Sequence, residues 1–146
     1  MQVDSALMSD ERVDDFMEEL RARGAGALDK KMGIHILEAS PQRLVATMPV
    51  EGNTQAIGFL HGGANVVLAE SLGSIGTWMH AGMDKKVVGV DINATHHRSV
   101  TEGVVTAVAT AISLGKTMCS YDVVISNDQG QRTCTARITV LILAPR

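Results

Sequence analysis

Between His61 and Asp84 the chain is almost wholly small and apolar, and Glu70 is the only residue there with a formal charge. A carboxylate inside an apolar helix is costly unless something pairs with it or uses it. Upstream, Gly62 and Gly63 follow His61 where that helix should begin. Glycine lets a ligand come close to the backbone, and the unpaired N–H groups of a first helical turn suit negative charge. A carbonyl oxygen gaining charge in acyl transfer would fit there. Glu70 then supplies a nucleophile or general base, and Ser74, four residues on, adds a hydroxyl to the same helix face.

Eight residues separate Gly62 from Glu70, roughly 12 Å along a helix axis, whereas reacting atoms must come within about 3.5 Å. One helix cannot do both jobs. Two copies packed antiparallel would set the helix N-terminus of one beside Glu70 of the other, giving two equivalent sites in a homodimer. The small residues Gly73, Ser74, Gly76 and Thr77 are expected to let the two helices approach closely.

The elements that must position these groups follow from periodicity. Val66, Val67, Leu68, Leu72, Ile75, Trp78 and Met79 surround every face of the central helix, which is therefore expected to be buried. Upstream, Ser9 is placed as the cap of a short helix carrying Val13, Phe16, Met17 and Leu20, ended by Gly24 and Gly26. MGIHILEA and RLVATMPV flank Ser40-Pro41-Gln42 as a hairpin. Downstream, VVGVDINATHHRSV, GVVTAVATAISL, KTMCSYDVVISN and QRTCTARITVLIL are four strands whose short connections predict antiparallel neighbours. The fold class is α+β, a long helix wrapped by an antiparallel sheet.

At 146 residues the chain is one domain on ordinary priors. A net charge of −3 and 3% aromatics offer neither a basic stripe nor a stacking platform, so no nucleic-acid partner is expected. Cys119 and Cys134 sit in alternating strand patterns, as free thiols of a reducing compartment do; the cytoplasm is the expected location. The N-terminus lacks a basic leader and an apolar core, and the apolar run Ile138–Ala144 is too short to span a bilayer, so no membrane association is expected.

QAIGFLHGGANVVLAESLGS resembles the active-site segment of hotdog-fold acyl-CoA thioesterases. The branch is the PaaI-like one that holds Glu-type 4-hydroxybenzoyl-CoA thioesterases and the 1,4-dihydroxy-2-naphthoyl-CoA thioesterases of menaquinone synthesis. INATHHRSVTEG, the LGK turn and CTARITVLIL extend the likeness over about residues 28 to 144, leaving residues 1–27 as an N-terminal helical extension to a 28–146 hotdog domain. The resemblance implies that Glu70 attacks the thioester or activates water, that the Gly62 N–H polarises the carbonyl, and that Gln55 and His61 orient the carbonyl and the loop. It places Ser74 near the hydrolytic water or the carboxylate. It implies that coenzyme A lies near Gly89, along His96, His97, Arg98 and Ser99, and over the turn Ser113, Leu114, Gly115, Lys116, Thr117 and Met118. Arg98 and Lys116 could meet phosphates. Ser99 stands where the family often has Pro, and Lys116 where it often has Arg. A homotetramer, as a dimer of dimers, is implied too.

Other readings bear on the same residues. A lone acid in an apolar helix is about as often structural as catalytic, and the matching glycines, Gln55 and Ser74 favour catalysis here. His61 could simply cap or pack. His96 and His97 are strand neighbours pointing to opposite faces, so no metal site is expected, and no cofactor beyond the CoA of the substrate. His35 and His80 have no partners at ligand spacing. Cys119 and Cys134 are expected to be core thiols, and Met79, Met83 and Met118 more often core than acyl-pocket residues. The functional expectation is hydrolysis of an aromatic or medium-chain acyl-CoA to free acid and CoA. The alternative is a non-catalytic acyl-CoA binding module, which would need no carboxylate opposite a helix N-terminus. A hotdog hydratase is weaker, because Asp is absent from Gln55 to Met83.

Overall fold

The computed structural model describes residues 10–23 and 26–145. In chain order it has α1 (Asp10–Arg23), α2 (Ala27–Met32), β1 (His35–Ala39), β2 (Arg43–Pro49), α3 (Gly62–Ala81), β3 (Val87–His96), β4 (Val104–Leu114), β5 (Met118–Ser126) and β6 (Arg132–Ile142). The strands form one six-stranded antiparallel sheet in the order β1-β2-β4-β5-β6-β3. One face of the sheet packs on α3, as the sequence pattern requires.

α3 buries Leu68, Ala69, Leu72, Ile75 and Met79 against Val105, Ala107, Tyr121, Val123, Ile125 and Ile138 of the sheet. Close approach is set by two glycines on the sheet side. A Cβ at Gly73 would lie 2.4 Å from Ile138 Cγ2, and one at Gly76 2.5 Å from the Tyr121 hydroxyl. Thr77, fully buried, returns its hydroxyl to Gly73 O at 2.8 Å. This corrects the expectation that Gly73, Gly76 and Thr77 serve helix–helix contact: they let the helix settle onto the sheet, and of the four small residues only Ser74 opens onto a surface groove. The helix is not buried all round either. Val66, Val67 and Trp78 are only half-buried and Glu70 is exposed.

The strand order departs from the expected meander. β3 leaves the end of α3 at the far edge of the sheet and pairs with β6, not with β4. Loop length could not decide this. The seven residues 97–103 can span about 23 Å, more than the roughly 14 Å of three interstrand steps. The crossing loop is stitched to the segment before α3 by Leu60 N–H to Val100 O at 2.7 Å, and to the end of β2 by Val50 N–H to Gly103 O at 2.9 Å. It therefore runs past the N-terminus of α3. The extended run predicted to Val100 ends at His96 for the same reason.

The N-terminal region has two helices where one was expected. Residues 27–32 form a single turn and a half closed by Gly33 in the left-handed region (φ 73°), which delays the first strand from Met32 to His35. Ser9 and Gly24 lie outside the described residues. α1 packs through Phe16, fully buried and edge-on to Trp78 at 4.5 Å between ring centroids. Cys119 and Cys134 are free and buried, and burial pushes both thiols up, away from thiolate chemistry. Of the methionines, Met79 is core, whereas Met83 and Met118 are exposed.

Candidate active site

The functional residues fall into three groups along α3. At its N-terminus His61 is the cap: its Nδ1 accepts from Gly63 N–H at 2.8 Å, and its carbonyl accepts from Ala64 N–H. Gly62 N–H is left without a partner among the described residues, as a first-turn amide is unless something binds it. The need for glycine here is steric as well as permissive. The His96 ring occupies the space of a Gly62 side chain, with Nε2 2.8 Å from where a Cβ would lie. Gln55 sits in a tight turn, its carboxamide oxygen accepting from Ile57 N–H, so what it can offer a ligand is its NH₂ group. Gln55, Gly62 and His96, together with Phe59, Asn65, His97, Arg98 and Ser99, line a depression of ≈330 Å³, of which His61 is not a wall. It is a donor-rich site, suited to a carbonyl oxygen and to phosphate.

Two turns further along, Glu70 and Ser74 open on a separate groove of ≈370 Å³ walled by Leu28, Val67 and Ile75, with Asp29 and Ser71 beside them. The Glu70 carboxylate leans on β3: its Oε1 lies 2.8 Å from where a Gly89 Cβ would be. The register of β3 against β6 slips between Gly89 and Asp91, leaving Val90 as a bulge. Bulges redirect side chains next to functional sites, and here the irregular, glycine-bearing stretch makes room for the carboxylate. Glu70, Gly89, Val90, Asp91, Ile92 and Ile138 border a third small depression.

The third group is the β4–β5 turn. Gly115 N–H donates to Met118 O at 3.0 Å, and Gly115 O is held by His80 Nε2 at 2.9 Å, which ties Ser113–Met118 to the C-terminal end of α3. Lys116, Thr117 and Met118 are exposed. His80 thus has a packing role that ligand spacing could not show. Of the places that the resemblance gives to coenzyme A, the His96–Ser99 segment and the Ser113–Met118 turn therefore sit at opposite ends of a 20-residue helix, about 30 Å long, while Gly89 lies beside Glu70 at its middle. Gly62 and Glu70 likewise face different depressions within one chain.

His96 and His97 diverge as adjacent residues in extended chain should: the first turns toward Asn65, the second bonds Thr135 Oγ1 at 2.9 Å. No three His, Cys, Asp or Glu side chains gather at metal-ligand spacing among the described residues. No helix there is long and apolar enough to cross a membrane.

Two residues at these sites escape sequence reasoning. Asp29, 5% exposed, accepts from Ser71 Oγ at 2.7 Å on the Glu70 groove, and desolvation raises its pKa against the opposing effect of that bond. It was hidden because α2 is too short to show a period. Asn65, also 5% exposed, lies under the depression at the helix N-terminus. Its signal was a polar side chain in an apolar helix, overshadowed by the charge of Glu70.

A long helix in the grip of an antiparallel sheet is the hotdog arrangement, and here a carboxylate at mid-helix and one free amide at the helix start are groups suited to thioester hydrolysis. Residues 57–134 match the thioesterase superfamily, and the chain belongs to that family. It is 38% identical over 128 residues to the proofreading thioesterase EntH of Cronobacter turicensis, covering 87% of this chain and 93% of that one. A crystal structure of a mutant of thioesterase PA1618 from Pseudomonas aeruginosa superposes with a TM-score of 0.82 at 34% identity, over 95% of this chain and 99% of that one. For thioesterase HI1161 from Haemophilus influenzae the TM-score is 0.80 at 36% identity, over 86% and 89%.

Proposed function

We propose that the protein hydrolyses aromatic or medium-chain acyl-CoA at two equivalent sites, each shared between the subunits of a dimer. Glu70 of one subunit acts as nucleophile or general base, and the Gly62 N–H and Gln55 NH₂ of the other polarise the thioester carbonyl. Ser74 lies within the Glu70 groove to hold water. The acyl group lies against Leu28, Val67 and Ile75, and CoA runs over Arg98 of one subunit toward Lys116 of the other. The observation that carries this reading is the separation of complementary groups: donors at the start of α3, acceptors at its middle, each open to its own depression.

The free edge of the sheet supports the dimer. β3 is ten residues long, with every position exposed or only half-buried, including Val88 at 42% and Val90 at 51%. Native proteins cover or blunt such edges. Pairing of β3 with its twofold copy would continue the sheet and set the two α3 helices antiparallel. A tetramer built from two such dimers, in the cytoplasm, completes the proposal, and the buried free thiols support a reducing compartment.

Thiol release over a panel of acyl-CoA substrates tests the activity, with Glu70→Gln and Glu70→Ala expected to lose turnover while keeping the thermal midpoint. A binding module would take up the acyl-CoA and release no free CoA. Light scattering on the purified chain tests the assembly; a monomer would leave the site incomplete.

A further inference from the structure

Asn65 poses a problem that the proposed chemistry has not used. It is 5% exposed, and its Oδ1 has no hydrogen-bond partner. A buried amide oxygen left unpaired costs about as much as a lost hydrogen bond. Its Nδ2 lies 3.5 Å from His96 Nδ1, a long contact that a small ring movement would tighten. The amide therefore faces the imidazole with one group engaged and one in reserve.

That contact orients His96. In the tautomer whose Nδ1 accepts from Asn65 Nδ2–H, the ring N–H is on Nε2. Nε2 is also the atom that lies against Gly62, 2.8 Å from the position of a Cβ there, beside the partnerless Gly62 N–H. Both face the depression also lined by Gln55 and Arg98. His97 also borders that depression, but its Nε2 is engaged by Thr135 Oγ1 at 2.9 Å.

We infer that His96, held by Asn65, is a third hydrogen-bond donor to the thioester oxygen, beside the Gly62 N–H and the Gln55 NH₂. The inference rests on the proposed acyl-CoA hydrolysis and changes the role of His96 from a CoA contact to a catalytic residue, with Asn65 as its positioning residue. As the carbonyl oxygen gains charge, Nε2–H and Gly62 N–H both strengthen toward it.

The test uses the 146-residue chain and thiol release from benzoyl-CoA and octanoyl-CoA. His96 is exposed, so His96→Ala should fold as the parent does, which a thermal melt verifies. It should lower kcat about 10²-fold, as removal of one oxyanion donor does, with KM moving less than threefold. His96→Gln, which can still present an N–H, should recover a tenth or more of kcat. Asn65→Ala should lower kcat about tenfold alone and add nothing in the His96→Ala background, since a positioning residue acts only through its partner. An unchanged kcat with a raised KM in His96→Ala would return the residue to CoA binding. Equal losses from Asn65→Ala with and without His96 would assign Asn65 a purely structural role. A parent protein that releases no thiol from any acyl-CoA would overturn the proposed function and this inference together, an outcome distinct from an active parent indifferent to His96.

Discussion

The start and the middle of α3 are built in the same manner and offer opposite chemistry. At each, a glycine leaves room for a functional side chain that comes from another element: Gly62 admits the His96 ring, and Gly89 admits the Glu70 carboxylate. At the start, what results is a set of donors, the Gly62 N–H, the Gln55 NH₂ and Arg98. At the middle it is a set of acceptors, Glu70, Ser74 and Asp29. The first kind of site receives an electrophile's oxygen and the second attacks its carbon. On the proposed function, a chain that carries both, about 12 Å apart along one helix, holds two half-sites, and twofold pairing is the simplest operation that makes them whole.

Breaking the acceptor half should have the largest effect. Glu70→Gln is expected to lower kcat by 10²–10⁴-fold, the usual contribution of a positioned acid or base, read by thiol release at saturating acyl-CoA. The sharing itself can be probed by refolding a mixture of inactive Glu70→Ala and Gly62→Val chains. Random pairing would restore about a quarter of the parental sites, because each mixed dimer has one intact site. Activity no greater than the sum of the two parents would place Glu70 and Gly62 of one chain in one site.

Gly89→Ala asks how closely the middle is tuned. Its Cβ would lie 2.8 Å from Glu70 Oε1, while the exposed strand position should tolerate alanine. Turnover should fall about tenfold, since small misplacements of reacting groups are costly, with KM unchanged. At the donor half, Arg98→Ala should raise KM for acyl-CoA about tenfold with little effect on kcat, in keeping with loss of a charge-assisted bond. That effect should shrink as salt rises, and Lys116→Ala should do the same more weakly.

The smallest expected effect is on stability. Burial raises the pKa of Asp29 above its ordinary value of 3.8, so the folded chain binds a proton there more tightly than the unfolded one does. Stability attributable to this group is therefore greatest below the unfolded pKa and falls as pH rises through the folded value. Asp29→Asn should melt higher than the parent at pH 7, and the difference should vanish below about pH 4. A gap that widens on acidification would mean that the carboxylate is favourably paired.

Local composition was enough to specify much of this protein. The apolar run around Glu70, the glycines after His61 and the period-2 strands follow from burial and pleating, and these placed α3 and the candidates Glu70, Gly62 and Ser74, whereas Gln55 and the positioning role of His61 came only with the family resemblance. The topology was not legible, because seven residues after His96 can join neighbouring strands or cross the end of the sheet with equal ease. The roles of Gly73 and Gly76 were hidden for a related reason: a small residue permits close approach without naming what approaches, and only the packed sheet shows that Ile138 and Tyr121 do. Asp29, Asn65 and the seat of Glu70 on Gly89 depend on contacts between elements distant in the chain. Sequence determined which chemical groups the molecule owns, since that is a property of residues and short periods. Tertiary structure decided which of them face one another, since a helix and a strand meet only when the whole core closes.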